Sequence, residues 1–154
     1  MTAAQKALQL LAARSRTAVE LDRALERAGF AEGERKAALA RMKELGYMDD
    51  REVARTRALS RIERGEAPRL AARRLKAQGI APEDADQAAA QAAGGASEEQ
   101  LAARALQRRL RGRAPADPRE KRRLLRALVQ KGHRPRAAAS ALGLTWEGDD
   151  ELED

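Results

Sequence analysis

Residues 105–112 read ALQRRLRG and repeat the pattern of residues 58–65, ALSRIERG, which in turn resembles residues 7–14, ALQLLAAR. Each stretch starts with Ala-Leu and consists mostly of residues with high helix propensity. The starts lie about fifty residues apart, a period typical of stacked helical modules that bury their apolar faces against one another. The sequence therefore predicts an extended functional surface rather than one globule with a pocket.

A second segment recurs at the same period and predicts three helix ends. Residues 25–30 are LERAGF, residues 75–80 are LKAQGI and residues 128–133 are LVQKGH. Glycine stops a helix by adopting the left-handed conformation, and it stands at the fifth position of all three segments. Each module is therefore expected to contain a second helix that ends in the same kind of turn.

Capping residues predict where helices begin. Thr17 and Glu20 have the spacing of a reciprocal capping box. Asp49 and Asp50 place two carboxylates before the first helix of the next module, where they complement its positive end. A metal site at these two acids is the alternative, although adjacent acids at a helix start more often act as caps. Ser97 is the corresponding cap of the third module.

These signals predict an all-α fold of three tandem three-helix repeats that form an elongated, curved array. In the first repeat we expect Ala38, Met42 and Leu45 to form the apolar stripe of the third helix. We expect an acidic, disordered tail after the last repeat. The predicted boundaries are 1–48, 49–95 and 96–143 for the repeats and 144–154 for the tail.

Composition narrows the class of protein. The chain has 154 residues, 2% of them aromatic, and no cysteine. Disulfides and thiolate metal sites are therefore excluded, and a reducing cytoplasm is the expected location. No apolar run approaches the roughly 20 residues that a membrane helix needs, so we expect no membrane segment. We also expect a monomer.

Positive charge is concentrated in two parts of the chain. Residues 51–78 contain nine Lys or Arg against three Asp or Glu, and residues 101–136 contain thirteen against two. Many of these bases recur three or four residues apart, which places them in rows along helices. Such rows form either the ordinary solvated face of a helix or a binding surface for phosphates or an acidic protein. The four rows are Arg57, Arg61 and Arg64; Arg69, Arg73 and Lys76; Arg104, Arg108 and Arg111; and Arg119, Arg122 and Arg126.

Catalytic signals are weak. His133 is the single histidine, and it stands where the other modules have Phe30 and Ile80, so we expect it to fill a packing position. The chain has no Gly-rich phosphate loop, because Gly94 and Gly95 lack the Lys and Ser/Thr of a nucleotide site. Residues 51–136 contain no aromatic side chain to stack on bases. The sequence predicts neither an enzyme nor a cofactor.

Three segments, in order, resemble the RecX family, the bacterial regulators of the RecA recombinase. They are residues 12–21, AARSRTAVEL; residues 46–54, GYMDDREVA; and residues 75–80. The Gly-Tyr-x-Asp-Asp pattern is the most specific of them, and the resemblance extends over residues 7–142. His133 departs from the family, which commonly has Phe there, and so does the acidic tail.

The resemblance implies a RecA regulator without catalytic residues. It implies three-helix repeats that bind the RecA filament on DNA and usually restrain its recombinase and coprotease activities, and hence influence DNA repair and the SOS response. The basic rows would then meet acidic RecA surface or the phosphates of single- or double-stranded DNA. The alternative is a helix-turn-helix-like module that binds duplex DNA directly.

Overall fold

The computed structural model describes residues 1–150, which form nine α-helices and no strand. The predicted all-α fold is therefore confirmed for this part of the chain. The helices are α1 (Ala3–Ala13), α2 (Ala18–Arg27), α3 (Glu32–Glu44), α4 (Asp50–Glu63), α5 (Pro68–Ala77), α6 (Pro82–Ala93), α7 (Glu98–Leu110), α8 (Pro118–Gln130) and α9 (Pro135–Ala141).

The predicted caps start their helices. Thr17 Oγ1 accepts from Glu20 N at 3.1 Å, and Glu20 Oε1 accepts from Thr17 N at 3.0 Å, which completes the capping box of α2. Asp49 caps α4 by accepting from the backbone N–H groups of Arg51 and Glu52. Ser97 heads another capping box at α7. Each cap satisfies N–H groups that have no partner within the helix.

The three glycine turns share one hydrogen-bond geometry. The glycine lies at a φ between +93° and +96°, and the next N–H donates to the carbonyl five residues earlier. This Schellman pattern terminates α2, α5 and α8 as the repeated segments predict. The bonds run from Phe30 to Leu25 at 3.2 Å, from Ile80 to Leu75 at 3.0 Å and from His133 to Leu128 at 3.1 Å.

The helices pack mainly within three groups, α1–α3, α4–α6 and α7–α9. Alanine and leucine supply most of the buried residues, as the scarcity of aromatic residues requires. Ala38 and Met42 are buried as expected, but the placement of Leu45 in the core was wrong. Leu45 is 44% exposed at the C-cap of α3, even though its backbone keeps the helical conformation and its N–H donates to Arg41 O. The repeat boundaries and the curved shape stay predictions.

The first junction joins the first two groups and comprises residues 17–20, Asp50, Arg57, Gln78 and Gly79. Thr17, which is fully buried, donates through Oγ1 to Gln78 O at 2.6 Å. Asp50 Oδ1 accepts from Ala18 N at 2.9 Å. The start of α2 therefore docks against the end of α5 and the start of α4.

The second junction joins the second and third groups and comprises residues 65–70 and 131–133. Ala67 N donates to Lys131 O at 2.8 Å, a backbone bond between the start of α5 and the end of α8. Leu70 covers the Gly132 turn so closely that a Cβ at the glycine would lie 2.6 Å from the Leu70 Cβ. As at the first junction, the start of the second helix of one group contacts the glycine turn that ends the second helix of the next group.

The predicted tail makes contacts in its described part. Leu144 packs against the core of the third group. Asp150 Oδ1 accepts from Arg136 N at 2.7 Å, and Trp146 Nε1 donates to Asp149 O at 3.2 Å. The remainder of the predicted disordered tail, residues 151–154, lies outside the described residues. Among the helices of residues 1–150, none has the length and apolar character required to cross a membrane.

Candidate partner-binding surface

The basic rows of the third group are the most accessible of the four. Arg104 and Arg108 lie one turn apart on α7 and are exposed. The row on α8 is exposed as well, and within residues 1–150 neither row forms an ion pair. Because no carboxylate of the described residues neutralises them, these guanidinium groups are available to an acidic partner. The α8 row consists of Arg119, Arg122 and Arg126.

Arg111 departs from the regular row predicted on α7. The helix ends at Leu110, and Arg111 has φ +51° and ψ +44°, the left-handed conformation. Residues other than Gly, Asn and Asp adopt this conformation at a cost of about 1–2 kcal/mol. Arg111 is therefore exposed beyond the helix end instead of continuing the helical spacing.

Arg57 belongs to the first junction rather than to an open surface. Its guanidinium donates to both Glu20 oxygens, at 2.8 and 3.1 Å, and to Gln78 Oε1 at 2.8 Å. The side chain is only 18% exposed. A bidentate Arg–carboxylate pair of this kind fixes geometry as well as contributing energy. The prediction that Arg57 forms part of a free binding row does not fit these contacts.

The Glu20–Arg57 pair has an electrostatic signature. Burial alone raises the pKa of Glu20, but the hydrogen bonds from Arg57 and from Thr17 N outweigh burial and leave the pKa below its ordinary value. The carboxylate is therefore held ionised at the junction.

Some of the other basic residues of the second group form ion pairs within the fold, and others are exposed. Arg61 reaches the buried carboxylate of Glu66 at 3.4 Å and is 21% exposed. Lys76 pairs with Asp86 at 2.9 Å. Arg69 is half-buried, whereas Arg64 and Arg73 are exposed. Sequence spacing does not reveal these ion pairs, because each acid belongs to a loop or a helix other than the row that it neutralises.

His133 fills a packing position, as predicted, and adds a contact that the sequence does not reveal. It is 3% exposed, and its Nε2 lies 2.8 Å from Gly65 O across the second junction. Because the carbonyl accepts, Nε2 carries the proton. Burial lowers the pKa of His133, although the Gly65 hydrogen bond partly opposes this effect. The imidazole is thus a neutral structural donor.

The two adjacent acids at the start of α4 have separate structural partners. Asp49 caps α4, and Asp50 accepts from Ala18 N in the first junction. Within residues 1–150, no group of three or more His, Cys, Asp or Glu residues could hold a metal ion. The capping prediction is confirmed for Asp49, while Asp50 instead joins two helix groups.

The chain is similar in sequence and in fold to known proteins. The chain is 32% identical over 132 residues to the regulatory protein RecX of Chlorobaculum tepidum, a match that spans 85% of this chain and 80% of the relative. A crystal structure of RecX from Lactobacillus salivarius aligns with a TM-score of 0.65 at 16% identity and 92% coverage of both chains. A second crystal structure, of a regulatory protein RecX, aligns with a TM-score of 0.68 at 21% identity, covering 92% of this chain and 70% of the other. No protein-family profile matches the chain.

Proposed function

Since the chain belongs to the RecX family, we propose that it acts as a cytoplasmic monomer that binds the RecA filament on DNA and lowers the filament's activities. The activities concerned are DNA-dependent ATP hydrolysis, strand exchange and the coprotease function, through which the protein would influence DNA repair and the SOS response. No catalytic step by the chain itself is required.

The open arginines of the third group carry this proposal. Residues 101–136 hold thirteen bases against two acids, and the exposed bases on α7 and α8 lack carboxylate partners in the described chain. Guanidinium groups without a carboxylate partner are attracted to an acidic protein face or a phosphate backbone. We therefore place the main partner contact on the third group.

Charge reversal tests this placement. Replacing Arg119, Arg122 and Arg126 with Glu should preserve helix content, because Arg and Glu have similar helix propensities. It should strongly weaken binding to RecA filaments on single-stranded DNA, because the local charge changes by six units against an acidic partner. Circular dichroism and filament pull-down measure the two effects.

The matched control reverses three exposed arginines of the first group, Arg14, Arg23 and Arg27, and so changes the net charge equally. We expect this control to retain binding. Equal losses in both variants would contradict a specific contact through the third group. A large excess of wild-type protein that leaves RecA ATPase and strand exchange unchanged would contradict the proposed function itself.

Direct binding to duplex DNA is the second candidate, because the same exposed arginines also suit phosphates. Binding to duplex without RecA should then weaken with salt, with a log–log slope of roughly 0.9 per phosphate contacted. A sequence-specific preference among short duplexes would favour this alternative over RecA regulation. Titrations with and without RecA at two salt concentrations distinguish the two functions.

A further inference from the structure

A cavity of about 300 Å³ opens between the end of α4, α6 and α7. This volume lies at the small end of the ligand-site range of about 300–1,000 Å³. Leu59 is 48% exposed at the cavity, so the space is open to solvent. The apolar walls are formed by Leu59, Ile62, Ala92, Leu101 and Ala105.

Glu66 gives this apolar cavity a polar feature. Its side chain is only 9% exposed and it lines the cavity. Oε1 lies 3.4 Å from guanidinium nitrogens of both Arg61 and Arg74, whereas Oε2 is buried without a hydrogen-bond partner in the described chain. Leaving a buried acceptor unsatisfied destabilises the folded state. Because two arginines already balance the charge, Oε2 needs a neutral hydrogen-bond donor rather than another cation.

The rim of the cavity suits an anion. Arg104 and Arg108 lie there, exposed and without ion pairs in residues 1–150. Glu63 also lies at the cavity, but its single negative charge is smaller than the two positive charges, so the rim keeps a net positive charge. Guanidinium groups match the geometry of phosphate oxygens. The cavity thus combines apolar walls, a buried acceptor and a phosphate-compatible rim.

We propose that this cavity binds a guanine nucleotide, with the base between the apolar walls and the phosphate at Arg104 and Arg108. The Watson–Crick edge of guanine carries two adjacent donors, N1–H and the N2 amino group, which match a carboxylate acceptor. The terminal torsion of a Glu side chain is broad, so the Glu66 carboxylate can turn Oε2 toward them. The base comes either from single-stranded DNA, in which case the site rests on the proposed function, or from a free nucleotide.

Oligonucleotide binding without RecA tests the guanine site. A labelled thymine-only strand is compared with a strand of equal length that has single guanines separated by thymines, which avoids guanine self-association. Fluorescence anisotropy should show about tenfold tighter binding of the guanine strand, the size of discrimination that a bidentate base contact provides. Equal affinities for the two strands, together with no binding of dGMP in the same buffer, would overturn the proposal.

Two variants assign the preference to the cavity. Glu66→Gln should abolish the preference, because its amide presents a donor as well as an acceptor, and thermal unfolding checks that the variant remains folded. Ala92→Leu fills the cavity and should also abolish the preference, while Ala90→Leu on the exposed side of the same helix should not. If either Glu66→Gln or Ala92→Leu retains the full preference in the folded state, the guanine site is wrong.

Competition identifies the source of the base. Displacement of the guanine strand by dGMP supports a free-nucleotide site, and guanine preference without such displacement supports a site for DNA bases. Loss of RecA pull-down in Ala92→Leu with unchanged guanine preference would instead identify a protein-binding cavity and overturn the proposal. Because guanine preference is measured without RecA, it can fail or succeed independently of RecA regulation.

Discussion

The first and second junctions use the same geometry with different chemistry. In both, the start of one second helix lies against the glycine turn of the next one, through Val19 on Gly79 and Leu70 on Gly132. The first junction adds side-chain bonds, including the Glu20–Arg57 pair. The second adds a backbone bond from Ala67 to Lys131 and the His133 contact to Gly65.

This difference shows which part of the interface is set by the fold and which part varies in sequence. The close approach at glycine depends on backbone shape, and it occurs at both junctions. The polar contacts around it are supplied by a carboxylate–guanidinium pair at one junction and by an imidazole at the other. The junctions should therefore respond alike to a change at glycine but differently to acid.

The largest expected effect comes from substituting these glycines with alanine. Gly29→Ala costs only the left-handed strain, about 1–2 kcal/mol, because a Cβ there would meet no atom of residues 1–150 within 4 Å. Gly79→Ala and Gly132→Ala should lose about 1–3 kcal/mol more, since the new Cβ overpacks against Val19 or Leu70. Urea unfolding of the three variants measures this; equal losses would mean that close packing is not the shared feature.

Removing the arginine of the first junction should have the next largest effect. Arg57→Ala leaves Glu20 partly buried without its partner and should cost about 1–3 kcal/mol. Arg64→Ala at the C-cap of the same helix removes an exposed arginine and should change stability by less than about 0.5 kcal/mol. Chemical denaturation measures the free energy of unfolding of both variants. A similarly small loss for Arg57→Ala would mean that the ion pair does not stabilise this junction.

The Thr17 hydroxyl bond is expected to make a smaller contribution. Thr2 and Thr17 both head capping boxes, but only Thr17 also donates to a carbonyl across a junction. Thr17→Ala should therefore lower the free energy of unfolding by about 0.5–1.5 kcal/mol more than Thr2→Ala, the usual net contribution of one hydrogen bond. If thermal melts show equal losses, the bond to Gln78 O adds nothing to the cap.

Acid should affect the junctions in different pH ranges, with the smallest effects of the set. The pKa of His133 is lowered by burial, so its contribution to stability is present above the ordinary histidine value of 6.5 and falls as pH decreases below it. The pKa of Glu20 is lowered despite burial, by Arg57 and Thr17 N, so its contribution falls only below about 4.5. In unfolding measured as a function of pH, His133→Gln should remove the loss of stability just below pH 6.5. Glu20→Gln should remove the loss below about pH 4.5. If both variants change stability in the same pH range, or each in the range expected of the other, the two junctions do not differ in their response to acid as described.

Sequence patterns predicted the local structure of the chain well because caps and glycine turns act over a few residues. The Thr17 box, the Asp49 cap and the turn after α5 all lie where the sequence places them. Leu45 was misplaced because apolar periodicity identifies one face of a helix but does not show whether neighbouring residues cover that face at its end.

The candidate site was less predictable, because its accessibility depends on contacts distant in sequence. Arg57 and Arg104 are the first members of equivalent rows. Of these two arginines, only Arg57 is bound by a carboxylate within residues 1–150, that of Glu20, which lies 37 residues away in the sequence. The cavity beside Glu66 likewise requires α4, α6 and α7 to come together. The excess of bases predicted a charged surface, while the packing of helices determines which of them face a partner.

The uncovered turn at Gly29 has a consequence for protein engineering. Gly79 and Gly132 are each covered by a preceding second helix, but Gly29 is exposed and has the same backbone conformation. In an array held together by contacts between neighbours, such a surface is where another module can attach. We expect a fusion that adds a copy of the second group before residue 3 to dock at Gly29 and to lengthen the array by one unit.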